Sequence, residues 1–278
     1  MGKVFLNDCI IDSAAAKISA NDGGFLFGMG LFETMRATSG KVFRVDDHID
    51  RLFGSADALE INNCYERDFI INAIDELLKT NELSEARVRL TLTGGPIAGD
   101  NPVPTLLITA VDFTPYPADY YEKGVTVTLC DYRQNTMDPL CGHKTTNYFS
   151  RLMALQQAHR KKSTEAIWFT IDNKLAEGCV SNVFLVKDKI IYTPKLDTPI
   201  LNGIARKTVL EVAENESVDV VAKDLFIADL LGADEVFLTN SIMTVLPVSA
   251  VEAHTVGEGK PGEITKQILT GYNELLNA

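Results

Sequence analysis

Short strand patterns and amphipathic helical patterns follow one another along this chain, and their order restricts its fold more than any single motif does. Apolar residues at helical spacing predict helices over 47–60 and 68–80. Apolar runs predict strands over 86–93 and 105–112, and a final helix is predicted over Pro261–Leu276. A mixed order of this kind predicts an α/β or α+β fold.

One proline-rich segment divides these patterns into two parts. Two prolines stand within four residues in Thr114–Asp119, and proline disfavours both helix interiors and central strands. The chain has 278 residues, which exceeds the roughly 150 residues of a typical domain. We therefore predict a small N-terminal α/β domain over 1–113, an interdomain linker over 114–124 and a larger C-terminal domain over 125–278.

The charge balance and the cysteine pattern exclude several classes of partner. With 26 basic and 38 acidic residues the formal net charge is −12, so nucleic acid and anionic membranes are poor partners for the surface. No apolar run approaches the ~18 residues of a membrane span, and the first ten residues lack a signal-peptide core. The five cysteines form no CxxC pair, and the four histidines have no metal-ligand spacing. These features predict a metal-free protein of the reducing cytoplasm.

Lys144 stands in the segment Gly142–Tyr148, which leads into a helix predicted over 147–161. Helical spacing puts Tyr148 one turn beyond Lys144, on nearly the same face. A lone lysine is most often a solvated surface charge, because lysine is almost never buried unpaired. By itself, therefore, this segment does not identify a site.

Three further segments carry polar groups at positions where sites often form. Glu177 stands at a strand junction and is followed by small and polar residues, a pattern also typical of a plain turn. Leu201–Arg206 is a glycine-containing turn that opens a helix, whose free N–H groups and dipole favour an anion. Thr239–Ile242 ends an apolar strand with polar side chains, and such strand ends often line ligand crevices. Each pattern alone is also typical of ordinary structure.

Six short motifs occur in order over most of the chain. They are Phe27–Thr34 (FGMGLFET), His48–Leu52 (HxxRL), Glu177–Phe184 (ExCxxNVF), Ile191–Thr193 (IxT), Leu201–Arg206 (LxGIxR) and Gly259–Thr265 (GKPGEIT). Together they resemble the signature of the class IV aminotransferases, the pyridoxal-phosphate fold type of branched-chain aminotransferases, D-amino-acid aminotransferases and aminodeoxychorismate lyases. The resemblance implies a two-lobed fold type IV enzyme with its site between the lobes, a homodimer, and pyridoxal 5′-phosphate (PLP) as cofactor.

The resemblance also implies a role for each residue of the site. Lys144 forms the Schiff base with the cofactor and moves the substrate proton, and Tyr148 hydrogen-bonds the cofactor 3-oxygen. Glu177 pairs with the pyridine nitrogen, which makes the ring an electron sink. Arg51 clamps the phosphate by fork-shaped bonds, and Asn182 either bonds neighbouring backbone or contacts the site. The rest of the phosphate cradle comes from Gly203, Ile204, Ala205, Ser241 and Ile242.

The same resemblance places three residues on the substrate side. Phe27 and Phe32 give apolar walls, with ordinary core packing as the alternative. Arg89 matches a carboxylate-binding position of branched-chain enzymes and of some unusual D-specific ones, and the alternative is a solvent-facing position beside Arg87 on the same strand face. The loop Gly94–Asp100 lacks the Arg and His with which D-amino-acid aminotransferases bind the carboxylate.

These features favour a PLP-dependent aminotransferase that moves an amino group between an amino acid, of branched-chain or similar apolar type, and a 2-oxo acid. The alternative is an aminodeoxychorismate lyase that forms 4-aminobenzoate and pyruvate, because the compact length and the segment Asn240–Met243 resemble those enzymes. The Lys144–Tyr148 spacing is nearer to D-amino-acid aminotransferases and lyases than to branched-chain enzymes. A non-catalytic PLP-binding protein is a remote third hypothesis. Such a protein would be free to lose Lys144, Glu177 and Arg51, whereas all three are present in this chain. The L or D configuration of the amino donor stays open.

Overall fold

The computed structural model describes residues 2–98 and 103–278, so Met1 and residues 99–102, including Gly99 and Asp100 of the loop above, lie outside the described residues. The chain separates into two compact units. Unit 1 comprises Met1–Thr114 with His143–Tyr148, and unit 2 comprises Pro115–Gly142 with Phe149–Ala278.

Unit 1 is built on an antiparallel sheet. Its elements are β1 (Lys3–Leu6), β2 (Cys9–Asp12), α1 (Gly23–Phe27), β3 (Gly30–Thr38), β4 (Lys41–Val42), α2 (Val45–Ala58), α3 (Arg67–Thr80), β5 (Ala86–Thr93) and β6 (Thr105–Asp112). In the described chain the strand order is β2-β1-β6-β5-β3-β4, and each neighbouring pair is antiparallel. β3 therefore lies between β5 and the short edge strand β4.

The core of unit 1 follows from the periodicity of its sequence. The predicted helices over 47–60 and 68–80 are observed as α2 and α3, and each buries its apolar residues at three- and four-residue spacing. In β5 the apolar residues Val88 and Leu90 are buried, whereas Arg87 and Arg89, which alternate with them, are exposed. The two faces of β5 are thus an apolar core face and an opposite face that carries arginine.

Unit 2 contains a larger, mixed sheet. Its elements are α4 (Ala118–Lys123), β7 (Val125–Gln134), α5 (Phe149–Arg160), β8 (Glu165–Thr170), β9 (Leu175–Gly178), β10 (Asn182–Lys187), β11 (Ile190–Pro194), α6 (Ile204–Asn215), β12 (Val220–Lys223), α7 (Ile227–Leu231), β13 (Glu235–Asn240), β14 (Thr244–Val251), β15 (His254–Thr255) and α8 (Glu263–Asn277). The order is β12-β11-β10-β13-β14-β7-β8-β9, with β15 beside β14. Parallel pairs join β11 to β12 and β7 to both β8 and β14. The predicted mixed α/β class is therefore confirmed.

The segment that contains Lys144 differs from its prediction. The predicted helix over 147–161 begins only at Phe149, so Lys144 and Tyr148 are not related by one helical turn. Instead the Phe32 N–H donates to the Lys144 carbonyl at 2.9 Å, and the Thr146 N–H donates to the Gly30 carbonyl at 2.8 Å. Because these bonds attach the segment to β3, Lys144 belongs to unit 1 and not to the C-terminal domain in which it was predicted.

The predicted linker over 114–124 is also more ordered than expected. Its second half forms α4, with Pro117 as the residue before the helix, a position that requires no helical N–H from proline. Within unit 2 the Tyr121 hydroxyl donates to the Met243 carbonyl at 2.9 Å. Residues 115–124 therefore belong to unit 2.

Among the described residues, no helix is both long enough and apolar enough to cross a membrane.

Candidate active site

Strand β3 directs Glu33 toward helix α2 within unit 1, and its side chain is only 1% exposed. His48 and Arg51 lie three residues apart on α2, so both reach the same side of the helix. The Nδ1 atom of His48 lies 2.7 Å from Glu33 Oε2. Arg51 Nε and Nη2 donate to Glu33 Oε1 and Oε2 at 2.8 and 2.5 Å. Glu33 thus occupies the Nε–Nη2 edge of the Arg51 guanidinium.

These three side chains fix one another's charge. Burial by itself raises the pKa of Glu33, but the charge of Arg51 and the hydrogen bond from His48 outweigh it and hold that pKa at about 2. Burial lowers the pKa of His48, although its bond to Glu33 opposes the change. His48 is therefore a neutral imidazole near pH 7, and its Nδ1–H donates to an ionised Glu33. The outcome is a cation, Arg51, held in one orientation by a buried carboxylate.

The amine of Lys144 lies beside two aromatic rings. Its Nζ atom is 4.7 Å from the centre of the Phe32 ring and 5.9 Å from the centre of the Tyr148 ring. The charge of Lys144 also contributes to the lowered pKa of His48, on the neighbouring helix α2. The lysine side chain is half-buried, and its backbone is hydrogen-bonded to β3. This is a restrained amine and not a freely moving surface lysine.

The Phe32 ring brings three of the predicted site residues together. Tyr148 meets it edge-on, with ring centres 5.3 Å apart and an interplanar angle of 87°. On the same ring, the guanidinium carbon of Arg89 lies 3.9 Å from the ring centre. Partial burial lowers the pKa of Arg89, with Tyr148 opposing the change, and arginine nevertheless stays charged at neutral pH. By contrast Phe27, at the end of α1, is 64% exposed.

Glu177 is the centre of a second group of residues, in unit 2. It lies on β9 with 5% exposure, and its Oε1 atom accepts a bond from Arg151 Nη2 at 2.6 Å. The backbone N–H of Leu201 donates to Oε2 at 2.9 Å, and Asn182 Nδ2 lies 3.5 Å from the same oxygen. Arg151 Nη1 also donates to the Gly178 carbonyl at 3.0 Å. Glu177 is thus held from both of its oxygens.

Three residues of these groups were not given a role by the sequence. Arg151 stands in the first turn of α5, where an arginine ordinarily indicates a solvated helix face. Glu33 and His48 stand inside the motifs Phe27–Thr34 and His48–Leu52, which predict no function for either residue. For Glu33 a usable signal exists, because alternation along β3 places it on the buried side with Leu31 and Met35. For Arg151 the sequence offers no comparable signal.

The turn before α6 is packed tightly against Asn182. Asn182 Nδ2 donates to the Leu201 carbonyl at 2.9 Å, a backbone bond across 19 residues and not to the neighbouring backbone. A Cβ atom at position 203 would overlap Asn182 Oδ1, so only glycine fits at Gly203 without movement. α6 then begins at Ile204, and the N–H groups of Ile204 and Ala205 make no bond within the helix. These N–H groups can serve an anion.

The polar end of β13 offers two hydroxyl groups. The Thr239 hydroxyl is buried and has no hydrogen-bond partner among the described residues, and Thr239 lies opposite Asn182 in the β10–β13 pair. Ser241 follows the end of the strand and is half-buried. The N–H of Ile242 already donates to Asn240 Oδ1 at 2.8 Å, which leaves the Ser241 hydroxyl as the better phosphate donor of that pair.

Each unit, taken by itself, carries groups of the kinds that bind pyridoxal 5′-phosphate. Unit 1 supplies a restrained primary amine in Lys144 and a fixed cation in Arg51. Unit 2 supplies the carboxylate of Glu177 and the N–H groups at the start of α6. The unsatisfied hydroxyl of Thr239 is a buried polar group of the kind that a bound ligand or water completes.

Comparison with known proteins gives a consistent set of relatives. The family described as amino-transferase class IV matches residues 30–251. A Methanocaldococcus jannaschii protein that carries the name branched-chain-amino-acid aminotransferase is 32% identical, over 98% of this chain and 96% of its own. The D-alanine aminotransferase of Staphylococcus haemolyticus is 31% identical, over 100% and 99% of the two chains. The aminodeoxychorismate lyase of Bacillus subtilis is also 31% identical, over 98% and 94%.

The solved structures agree with these matches. The branched-chain amino acid aminotransferase of Escherichia coli superposes with a TM-score of 0.91 and 26% identity, and the match covers 96% of this chain and 92% of that one.

Proposed function

The chain belongs to the class IV aminotransferase family, and from this premise we propose that it is a PLP-dependent aminotransferase. It moves an amino group between an amino acid, of branched-chain or similar apolar type, and a 2-oxo acid. The observation that carries the proposal is the place of Lys144, whose amine lies 4.7 Å from the Phe32 ring in a segment hydrogen-bonded to β3. A surface lysine would have neither restraint.

Pyridoxal 5′-phosphate supplies an aldehyde that bonds covalently to amines and a ring that takes up an electron pair from the substrate. Lys144 Nζ would hold the cofactor and would move the proton at the substrate Cα. The Tyr148 hydroxyl would bind the cofactor 3-oxygen. Glu177 pairs with the ring nitrogen, and its bonds to Arg151 and Leu201 keep it in one orientation.

The phosphate is assigned to residues that offer fixed positive or N–H groups. Arg51 provides a cation whose orientation Glu33 already sets, so little side-chain entropy is lost on binding. The N–H groups of Ile204 and Ala205 provide the positive end of α6. The other residues assigned to the phosphate are Gly203, which permits the turn, Ser241, through its hydroxyl, and Ile242, through an N–H that also donates to Asn240 Oδ1.

The substrate is assigned to the face of β5 that carries arginine. Arg89 binds a carboxylate, and its contact with Phe32 at 3.9 Å supports this role, because it places the cation on the ring beside Lys144. Phe32 gives an apolar wall for the substrate side chain. Phe27 gives a second wall, and its 64% exposure leaves it accessible to a partner.

An aminodeoxychorismate lyase remains the second candidate. The observation that favours it is the 31% identity to the Bacillus subtilis lyase over nearly the full length of both chains. Asn240 Oδ1 accepts bonds from the N–H groups of both Ile242 and Met243 at 2.8 Å, which fixes the segment that resembles lyases. A non-catalytic PLP-binding protein is the third candidate, and the presence of Lys144 argues against it.

We further propose that the enzyme is a cytoplasmic homodimer. Phe25 and Phe27 in α1 and Met29 just after it are 76%, 64% and 53% exposed. A second copy of the chain would cover such apolar side chains. All five cysteines are free thiols, which suits a reducing compartment.

One experiment separates the enzymatic candidates. The purified protein, loaded with pyridoxal 5′-phosphate, is mixed with single L- and D-amino acids in the absence of any 2-oxo acid. An aminotransferase converts its cofactor to the pyridoxamine form with an accepted donor. A lyase instead releases pyruvate from aminodeoxychorismate and keeps its cofactor in the starting form. A protein that does neither supports the non-catalytic hypothesis.

A further inference from the structure

Glu165 is a buried carboxylate that the proposed chemistry does not use. It is the first residue of β8, with 1% exposure. On one side of the sheet Glu165 pairs with Val127 of the parallel strand β7. On the other side Ile167, two residues further along β8, pairs with Gly178 of β9. A carboxylate in such a place destabilises the fold unless both of its oxygens are hydrogen-bonded.

The hydrogen bonds of Glu165 come from one short turn. The Cys179 N–H donates to Oε1 at 2.8 Å, and the Ser181 hydroxyl donates to Oε2 at 3.1 Å. The same turn is closed by the Gly178 N–H, which donates to the Ser181 carbonyl at 2.7 Å. The turn over residues 178–181 is therefore held together by hydrogen bonds to the Glu165 carboxyl group.

This turn connects Glu177 directly to Asn182. Glu177 is the residue before Gly178, and Asn182 is the residue after Ser181. A Cβ atom at position 178 would overlap Ser181 Oγ and lie 3.0 Å from Glu165 Cδ, so the carboxyl group packs against the backbone beside Glu177. From α5, Arg151 holds the Gly178 carbonyl. The backbone that carries Glu177 is thus held by a carboxylate and by a guanidinium.

We propose that Glu165 is a positioning residue: by holding Cys179 and Ser181 it fixes the turn that directs the Glu177 carboxylate at the cofactor ring nitrogen. The proposal rests on the proposed function only for the last step, because the contact between Glu165 and the turn exists without a cofactor. Glu165 touches neither substrate nor cofactor, and its effect passes entirely through the backbone of the turn.

The hold of Glu165 on the turn does not require a fixed charge. Burial raises the pKa of Glu165 to about 7, while the bonds from Ser181 and Cys179 oppose the change. The Cys179 N–H can donate to either form of the carboxyl group, and the Ser181 hydroxyl donates to a carboxylate or accepts from an acid. Glutamine keeps a carbonyl acceptor and has an NH2 donor group in place of the acid O–H. Glu165→Gln is therefore expected to preserve the turn, and Glu165→Ala to release it.

Glu235 provides a matched control in the same unit. It accepts bonds from the Thr265 N–H at 2.7 Å, the Thr265 hydroxyl at 2.6 Å and the Ile264 N–H at 3.1 Å. Its removal by Glu235→Ala deletes the same kinds of hydrogen bond from the start of α8. Ser181→Ala weakens the proposed contact less than Glu165→Ala does, because it removes only the bond from the hydroxyl. We expect it to fold, so it tests the contact even if the Glu165→Ala protein does not fold.

The experiment compares wild type, Glu165→Ala, Glu165→Gln, Ser181→Ala and Glu235→Ala as PLP-loaded protein. Backbone hydrogen exchange over residues 175–185, kcat and KM are measured for each, with thermal unfolding as the stability reference. We expect Glu165→Ala to speed exchange in the turn and to lower kcat by about tenfold to a hundredfold with KM nearly unchanged. Ser181→Ala shifts both in the same direction by less, Glu165→Gln restores both, and Glu235→Ala changes only thermal unfolding.

Two results would overturn the inference. In one, Glu165→Ala or Ser181→Ala leaves exchange in the turn unchanged. In the other, Glu235→Ala lowers kcat as much as Glu165→Ala does at equal thermal stability. Failure of the proposed function looks different, since wild type would then show no turnover while Glu165→Ala would still speed exchange in the turn; that result would remove the catalytic consequence of the proposal.

Discussion

Lys144 and Phe32 are joined twice, because the Phe32 N–H donates to the Lys144 carbonyl at 2.9 Å and the Lys144 amine lies 4.7 Å from the centre of the Phe32 ring. The backbone bond fixes where the lysine starts, and the ring limits where its charged end can go. Tyr148 and Arg89 contact the same ring. Phe32 is thus a common support for the amine, the phenol and the cation of the candidate site.

Arg89 offers a direct test of substrate binding. Arg89→Ala is expected to raise KM for amino and 2-oxo acids by about tenfold to a hundredfold, equivalent to ~1.5–3 kcal/mol, because a charged hydrogen bond to the carboxylate is lost. Arg87→Ala is the matched control, since Arg87 lies two residues away on the same exposed face of β5. Steady-state kinetics check both variants, and equal KM values for the two would return Arg89 to a solvent-facing role.

Glu33 determines how the protein responds to acid. Its pKa is about 2 in the folded chain against an ordinary value of 4.5, so its contribution is present above pH 4.5 and is lost as the pH falls toward 2. The difference corresponds to about 3 kcal/mol. The lowered pKa of His48 changes the stability in the same direction. The unfolded chain binds a proton at this histidine more readily than the folded chain does, so stability present above pH 6.5 is lost as the pH falls.

Glu33→Gln therefore should destabilise the protein at neutral pH by about 3 kcal/mol, since it leaves the half-buried Arg51 without its carboxylate. Urea unfolding from about pH 7 to about pH 3 measures the effect. We expect the two stability curves to converge as the pH falls. Curves that stay parallel over this range would show that Glu33 is not the acid-sensitive group.

Arg151 is expected to matter for Glu177 although it was not predicted from the sequence. Arg151→Ala removes a guanidinium 2.6 Å from a carboxylate that is 5% exposed, so Glu177 loses its orientation. We expect faster loss of bound cofactor and a kcat lower by about tenfold. Arg160→Ala, at the exposed end of the same helix, should change neither. Cofactor dissociation in phosphate-free buffer is the measurement, and identical rates for both variants would contradict the assignment.

The features of the fold that follow from local periodicity could be predicted. The helices α2 and α3 carry apolar residues at regular spacing, and each was expected to within a few residues of its observed ends. The turn at Gly203 was also expected, because a glycine just before a helical pattern is visible in the sequence. Motif order also placed Lys144 and Glu177 among the candidates before any geometry was known.

The features that depend on distant contacts could not be predicted. Lys144 precedes an amphipathic run, so the sequence extends the helix back to residue 147, whereas pairing with β3 keeps the segment non-helical. The bond between Arg151 and Glu177 joins residues 26 positions apart and leaves no trace in local pattern. The strand β14 contains Pro247, which disfavours a strand when read alone, yet it pairs with β13 on one side and β7 on the other.

Gly203 tests whether the turn before α6 holds the cofactor. Gly203→Ala places a Cβ atom on Asn182 Oδ1, so the turn must shift, and we expect lower stability by ~1–3 kcal/mol and weaker cofactor retention. Gly54→Ala is the control, because a Cβ atom there meets nothing within 4 Å in the middle of α2. That change should raise stability by ~0.5–1 kcal/mol and leave retention unchanged. Normal cofactor retention in a destabilised Gly203→Ala protein would separate the turn from the phosphate.

The central claim is that Lys144 is the covalent anchor of pyridoxal 5′-phosphate, and it is tested most directly by reducing the PLP-loaded protein with borohydride and mapping the modified peptide by mass spectrometry. We expect one phosphopyridoxyl group per chain, on Lys144, and no modification of the Lys144→Ala protein under the same conditions. Modification of a different lysine in the wild-type protein, or equal modification of the Lys144→Ala protein, would contradict the account.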